Sequence, residues 1–307
     1  MTAVELREAT HDDYDAVTAF TSSTWDGDDY IPDVYHDWIE GEHRHTLVAD
    51  PEGSNEELAG IAQAVMLSER EAWTQGMRVN PTYRSAGIGT TLTHALFDWA
   101  RDRDAVVARN MVFSWNRAGL GLSRTAGFEP ATEFRWLHVD PDPDASGGGS
   151  AGETGDLTAT TDPVAAWTCW RESEAHRRLH GLALDPEETW ALRELTQETL
   201  ATAAEETALL TVTDDRGCQG LSYRTRTYNS EGETGAEYGV AAWEGLPAAR
   251  ELFGAIAADA MSIGADRTRV LVPETARHVS DGAACRIRPA ENPDFVLAAD
   301  LTTDYRD

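Results

Sequence analysis

The chain has 307 residues, enough for two ordinary domains with real cores, and carries a formal net charge of −29 without a single lysine. A field of that sign repels nucleic acid and anionic lipid, so neither is expected as a partner. No apolar run approaches the length of a membrane span, and the N-terminus lacks a basic-then-apolar signal pattern, so a cytoplasmic protein is expected. The cysteines Cys169, Cys218 and Cys285 have no metal-ligand or redox-motif spacing. They read as buried free thiols, and no metal is expected.

In chain order, Glu5–Glu8 reads as a first strand, and Thr10 with Asp13 as a capping box that opens a helix through Phe20. Trp25 to Trp38 reads as a second, aromatic-rich helical region. Strands come next at His45–Ala49 and Leu58–Leu67, and a third ends at Val79. The stretch Met77-Arg78-Val79-Asn80-Pro81-Thr82-Tyr83-Arg84-Ser85-Ala86-Gly87-Ile88-Gly89-Thr90 then passes from that strand through a tight loop into a helix. Ile88, Leu92, Ala95, Leu96 and Trp99 keep helical spacing, so a core-facing helix begins inside the motif. Gly87 and Gly89 lack Cβ atoms where a ligand could approach, and the unpaired N–H groups of a helix start point outward. With Arg84 they make a site for a phosphate or pyrophosphate. A Walker loop would need a lysine, and a dinucleotide fingerprint a third glycine; neither is present.

A strand, Arg-x-x-Gly-x-Gly and an amphipathic helix together resemble the acetyl-CoA pyrophosphate loop of the GNAT superfamily of N-acetyltransferases. The resemblance implies acetyl-CoA as co-substrate, bound by Met77, Arg78, Val79, Arg84, Ser85, Ala86, Gly87, Ile88, Gly89 and Thr90. Downstream, a buried strand at Val106 to Val112 precedes Asn116, Gly119, Leu122, Gly127 and Phe128 at the spacing of the family's next motif. There Asn116, Gly119 and Ser123 are expected along the pantetheine arm, although Asn116 suits a helix N-cap equally well. Ser123 stands where many members have a tyrosine that protonates the leaving thiolate, and a serine hydroxyl is a weaker acid. Amine acetylation also needs a proton acceptor. Strand alternation puts Glu71, Trp73, Gln75, Met77 and Val79 on one face. Related sequences often carry a glutamate near Gln75, which cannot itself be a base, so Glu71 is the substitute. The catalytic candidates are thus Glu71, Gln75 and Ser123.

The Trp25–Trp38 segment resembles the early helices of histidine N-acetyltransferase-like enzymes, which acetylate free amino acids. That resemblance places Trp25, Tyr30 and Tyr35 at the acceptor, an amino acid or small-molecule amine; the same aromatics also suit the core of a small helix.

Residues 141–156 are small, polar and glycine-rich, as in a flexible linker. They separate a GNAT domain at 1–140 from a second half at 157–307. In that half Asp185-Pro186-Glu187-Glu188 reads as a helix start. Strands are expected at Ala208–Thr213, Gly220–Tyr228, Ala236–Trp243, Arg269–Val272 and Phe295–Leu301, with a helix at Leu246–Ile263. The order repeats that of the first half, so two tandem GNAT-like α+β domains are expected, each a mixed, mostly antiparallel sheet flanked by helices. The second lacks the phosphate loop: Glu244-Gly245-Leu246-Pro247 offers one glycine, a repelling carboxylate and a proline without an N–H. Whether this half caps the acceptor pocket, forms a homodimer or stabilises the first half is open. Acid scattered over a chain of normal hydrophobic content, 41%, resembles proteins of halophiles, where salt screens the repulsion. The activity expected is acetyl transfer to an amine by direct attack. The alternative is a sensor or scaffold that binds acyl-CoA without turnover.

Overall fold

Alternating apolar residues and a short acidic turn open the chain. The computed structural model describes residues 4–22, 24, 29–51, 57–141, 158–230 and 232–305. In it β1 (Val4–Glu8) pairs antiparallel with β2 (Arg44–Pro51). The Thr10 N–H donates to Asp13 Oδ2 at 2.8 Å, so the expected capping box forms, opening a short 3₁₀ turn that leads into α1 (Tyr14–Thr21). Arg7 grips the Asp13 carboxylate with both terminal nitrogens and holds it below its usual pKa. α2 (Ile31–Trp38) takes the C-terminal part of the expected aromatic helix, and residues 25–28 lie outside the described residues. Val17, Phe20, Ile31, Tyr35 and Trp38 bury against Val48, Leu58 and Ile61, giving the core between these helices and the sheet.

β3 (Gly60–Met66) and β4 (Glu71–Val79) continue antiparallel. β5 (Val107–Phe113) then pairs parallel with β4, after α3 (Ile88–Arg101). Parallel neighbours need such a crossover. α4 (Arg117–Thr125) comes directly after β5.

The chain divides into two compact units. The first comprises Met1–Val112, Asn116–Pro130 and Val296–Asp307; the second comprises Phe113–Trp115 and Ala131–Phe295. This differs at both ends from a division at 140 and 157, because β15 (Asp294–Asp300) takes the place beside β5. Arg101 anchors the segment after β15, donating from Nε to the Leu301 carbonyl at 2.8 Å and from a terminal nitrogen to the Thr303 carbonyl at 2.6 Å. All of the expected linker except Pro141 lies outside the described residues.

The second unit has the same strand logic. β7 (Thr158–Thr160), β10 (Ala208–Asp214), β11 (Gly217–Ser230) and β12 (Glu233–Trp243) are successively antiparallel. β12 and β13 (Arg267–Pro273) are parallel across α8 (Leu246–Ser262), and β6 (Glu129–His138) pairs antiparallel with β13. Its other helices are α5 (Pro163–Glu172), α6 (Glu174–Arg178), α7 (Gln197–Glu206) and α9 (Ala276–Ala284), and β14 (Arg288–Pro289) lies on β6. Packing of Leu252, Phe253, Ile256 and Ala260 on Tyr238, Val270 and Val272 forms its core.

The helix expected from Asp185 does not form. Asp185 Oδ1 does accept from the Glu187 and Glu188 N–H groups, as a cap would. The Asp185 N–H, however, donates to the Ala191 carbonyl, closing a hairpin between β8 (Leu182–Leu184) and β9 (Leu192–Glu194). Arg226 binds the carbonyls of Asp185, Glu187 and Glu188, so tertiary contacts override the local signal.

Candidate active site

β4 leaves β5 early. Their pairing covers only Glu71–Trp73 against Val107–Arg109, beyond which the strands share no register. From Thr74 onward β4 therefore offers main-chain groups to a ligand along that edge. On its other edge β4 carries one extra residue against β3: Gln63 faces Gln75, but Ile61 faces Arg78. The bulge falls at Gly76, whose φ of +64° suits glycine, and a Cβ there would lie 2.3 Å from the Trp38 ring. The face assignment changes as a result. Simple alternation groups Met77 and Val79 with Glu71 and Gln75, whereas the extra residue reverses parity. Arg78 now shares the face of Gln75, and Val79 sits opposite Gly60 on the other face.

The loop between β4 and α3 is anchored at its start. Asn80 is buried; its Nδ2 donates to the Leu58 carbonyl and its Oδ1 accepts from the Thr82 N–H, both at 3.0 Å. The chain then passes through Ser85 at φ +64° and Gly87 at φ +84°. Left-handed residues alternating with ordinary ones turn successive N–H groups toward one point, an arrangement that binds anions. Among the described residues no acceptor pairs with the N–H of Ser85, Gly87, Ile88, Gly89 or Thr90, while Arg84 and Ser85 form the middle of a turn closed by the Ala86 N–H; the Thr91 N–H donates to Gly87 at 3.0 Å. Arg84 is exposed, and its guanidinium has no ion-pair partner among the described residues. The two glycines differ in role. A Cβ on Gly87 would meet nothing within 4 Å, so its backbone angle is what matters there. A Cβ on Gly89 would lie 2.8 Å from Leu122 Cδ2, so the missing side chain of this buried glycine serves the packing of α3 on α4.

The catalytic candidates are dispersed. Glu71 lies at the far end of β4 from the loop and is ion-paired with Arg109 at 2.5 Å; Ser68 Oγ donates to its other oxygen at 3.0 Å. Gln75 gives its amide to Gln63 Oε1 at 2.7 Å, and Gln63 in turn binds the Trp38 carbonyl. Ser123 is buried on α4, its Oγ accepting from Asn110 Nδ2 at 3.0 Å. Asn116 caps α4, with Oδ1 accepting from the Gly119 N–H at 3.0 Å.

Of the acceptor candidates, Trp25 lies outside the described residues. Tyr35 belongs to the core: it is fully buried, its hydroxyl donates to the Thr10 carbonyl at 2.7 Å, and burial raises its pKa. Tyr30 is 41% exposed. Its ring lies 5.3 Å from the Arg78 guanidinium, which the buried Asp29 carboxylate holds at 2.7 and 3.2 Å. Arg78 is therefore tied to the start of α2. Sequence patterns do not single out Asn80, Asn110, Gln63 or Asp29. Gln63 leaves a signal, a large polar residue inside an otherwise apolar strand.

Residues 6–128 match the model of the acetyltransferase (GNAT) family. The first unit carries a GNAT acetyltransferase domain. Members of that family use acetyl-CoA as co-substrate. No curated protein matches the sequence. Among solved structures, a GCN5-related N-acetyltransferase from Sphaerobacter thermophilus is similar at 16% identity and a TM-score of 0.62, over 97% of this chain and 96% of that one. A tandem GNAT protein from the clavulanic acid biosynthesis pathway is similar at 13% identity and 0.58, over 98% and 100%. A putative acetyltransferase from Pyrococcus horikoshii is similar at 13% identity and 0.53, over 100% and 92%. These likenesses run through both halves and show a tandem GNAT fold. The second unit has no counterpart of the loop: between β12 and α8 stand only Glu244 and Gly245, with Pro247 in the first helical turn. Among the described residues no helix is long and apolar enough to cross a membrane, and no three ligand-type side chains gather for a metal.

Proposed function

We propose that the first unit transfers an acetyl group from acetyl-CoA to the amine of an amino acid or similarly small molecule. One observation carries this reading: among the described residues the N–H groups of Ser85 and of Gly87 to Thr90 have no acceptor and the Arg84 guanidinium has no ion-pair partner, a set that suits the diphosphate of CoA. Acetyl-CoA supplies the activated thioester. The chain supplies placement, with the β4 edge beyond Trp73 left open to receive the pantetheine arm and the thioester carbonyl. The amine attacks directly, and none of the three cysteines lies in the first unit.

A second reading, acyl-CoA binding without turnover, is favoured by the state of the acids. Glu71 and Asp29, the carboxylates bonded to β4 or its neighbours, are each paired with an arginine. Titration of acetyl-CoA, followed by thiol release over a panel of free amino acids and polyamines, separates the two. Micromolar binding with release for one class of amine supports transfer. Binding with no release across the panel supports the sensor, and absence of binding removes both.

A further inference from the structure

The point where β4 and β5 part holds a polar pair in an otherwise apolar setting. Asn110 is the first β5 residue beyond the last register pair, Trp73 with Arg109. Its neighbours on the same strand face, Ala108 and Val112, are buried. Its Nδ2 donates to Ser123 Oγ at 3.0 Å, while its Oδ1 is buried without a hydrogen-bond partner among the described residues. A buried, unpaired amide oxygen costs about 1–3 kcal/mol, and a leucine would fill such a strand position without that penalty. The Ser123 hydroxyl accepts from Asn110 and so keeps its own hydrogen for another acceptor.

We infer that Asn110 is a positioning residue for the transfer, orienting the Ser123 O–H toward the departing sulfur. This rests on the function proposed above. In the step concerned, the amine nitrogen bonds to the acyl carbon and the C–S bond breaks with its electron pair on sulfur. The proton lost by the amine passes to solvent. Ser123 gives up no proton: an aliphatic hydroxyl is a far weaker acid than a thiol, so it serves as a hydrogen-bond donor to the thiolate.

The test uses Asn110→Leu, Ser123→Ala and the double variant in the full-length chain, with acetyl-CoA affinity, kcat and Tm measured for each. Each single variant is expected to lower kcat about 10-fold, with acetyl-CoA Kd changed only a few-fold. The double variant should fall no further than the worse single one, because the two side chains act as a unit. Its Tm should rise by about 2 °C or more, since both buried polar groups leave together. A structural pair would behave oppositely, with Tm falling and kcat unchanged. Where the wild type binds and turns over acetyl-CoA, an unchanged kcat in the single variants, or strictly multiplicative losses in the double variant, would overturn the inference. A wild-type chain that fails to bind acetyl-CoA would instead overturn the functional reading beneath it.

Discussion

Replacing Gly87 by alanine separates the loop's shape from its packing. At φ +84° a side-chain-bearing residue is destabilised by about 1–2 kcal/mol relative to its preferred conformations. A Cβ there meets nothing within 4 Å, so no clash adds to that term. Because the loop is exposed at Gly87, the free variant relaxes to an ordinary φ, turning the neighbouring N–H groups away from their common focus. Thermal stability then changes little. Acetyl-CoA must restore the left-handed turn on binding, and its Kd should weaken by about 5- to 30-fold. Gly89→Ala is the contrasting case: its Cβ would press on Leu122 and should lower Tm by several degrees, as overpacking commonly does at about 1–3 kcal/mol. Isothermal titration calorimetry with acetyl-CoA, paired with thermal melts, reads both quantities. An unchanged Kd for Gly87→Ala would refute the assignment of this loop as the anion cradle.

Net charge, a buried acid, the thiols and the Glu71 ion pair give four further expected outcomes. With a net charge of −29, Tm should climb by several degrees between 0.1 and 3 M KCl, where the screening length falls to about 3 Å or less; a flat melting temperature would contradict the salt-dependent folding argued from composition. Burial lifts the Asp294 carboxyl to about 6, with Arg135 opposing it, so the folded state holds a proton that the unfolded chain releases near pH 4. Stability from this group is full below about pH 4 and lost as pH rises through 6, about 3 kcal/mol in all; Asp294→Asn should be more stable than wild type at pH 8 and equal to it at pH 3.5 in urea melts. Hydrogen bonding from Cys169 holds the half-buried Cys218 thiol below the usual range, while Cys169 itself and the buried Cys285 are raised, so limited iodoacetamide treatment should label Cys218 first by mass spectrometry. Glu71→Gln should cost about 1–3 kcal/mol of stability by weakening the Arg109 pair, with kcat within about threefold of wild type; a hundredfold fall in kcat at unchanged Tm would make Glu71 the base after all.

Strands and helices were legible in the sequence where local chemistry and tertiary packing agree. The capping box at Thr10 and Asp13, the apolar face of α3 from Ile88 to Trp99, and the continuous buried run of β12 each depend on neighbours a few residues away. The features it concealed depend on long-range geometry. The extra residue at Gly76 reverses strand parity, and nothing in Gln75-Gly76-Met77 alone distinguishes a bulge from a continuous strand. Asp185 presents good capping chemistry, yet Arg226, forty-odd positions on, captures the carbonyls that a helix would use. Glu71 reads as a free acid until β5 delivers Arg109 beside it. Tyr35 and Tyr30 look alike in the sequence, and only the packing of α2 sends one inward and leaves the other exposed.

The two units together show what the shared topology does and does not impose. Each has a run of antiparallel strands, a parallel step across a helix, and a bulge close to where the parallel strands part: at Gly76 in β4, and between Tyr238 and Ala241 in β12. The fold therefore produces the opened strand edge twice. It produces the unpaired N–H run only once, because residues 80–87 give the first unit room for two left-handed turns before α3, while Glu244-Gly245 gives the second none. Gly245 alone has a positive φ there, and the Glu244 N–H is already donated to the Gln219 carbonyl at 2.7 Å. Pro247 removes a further donor, and the exposed Glu244 carboxylate would oppose a phosphate. The run of N–H groups thus belongs to the inserted loop and its residues, carried on a scaffold that forms without it. Grafting residues 80–87 in place of Glu244-Gly245 and replacing Pro247 would have to supply all three missing features at once, and any one of them left out should leave the second unit unable to hold a diphosphate.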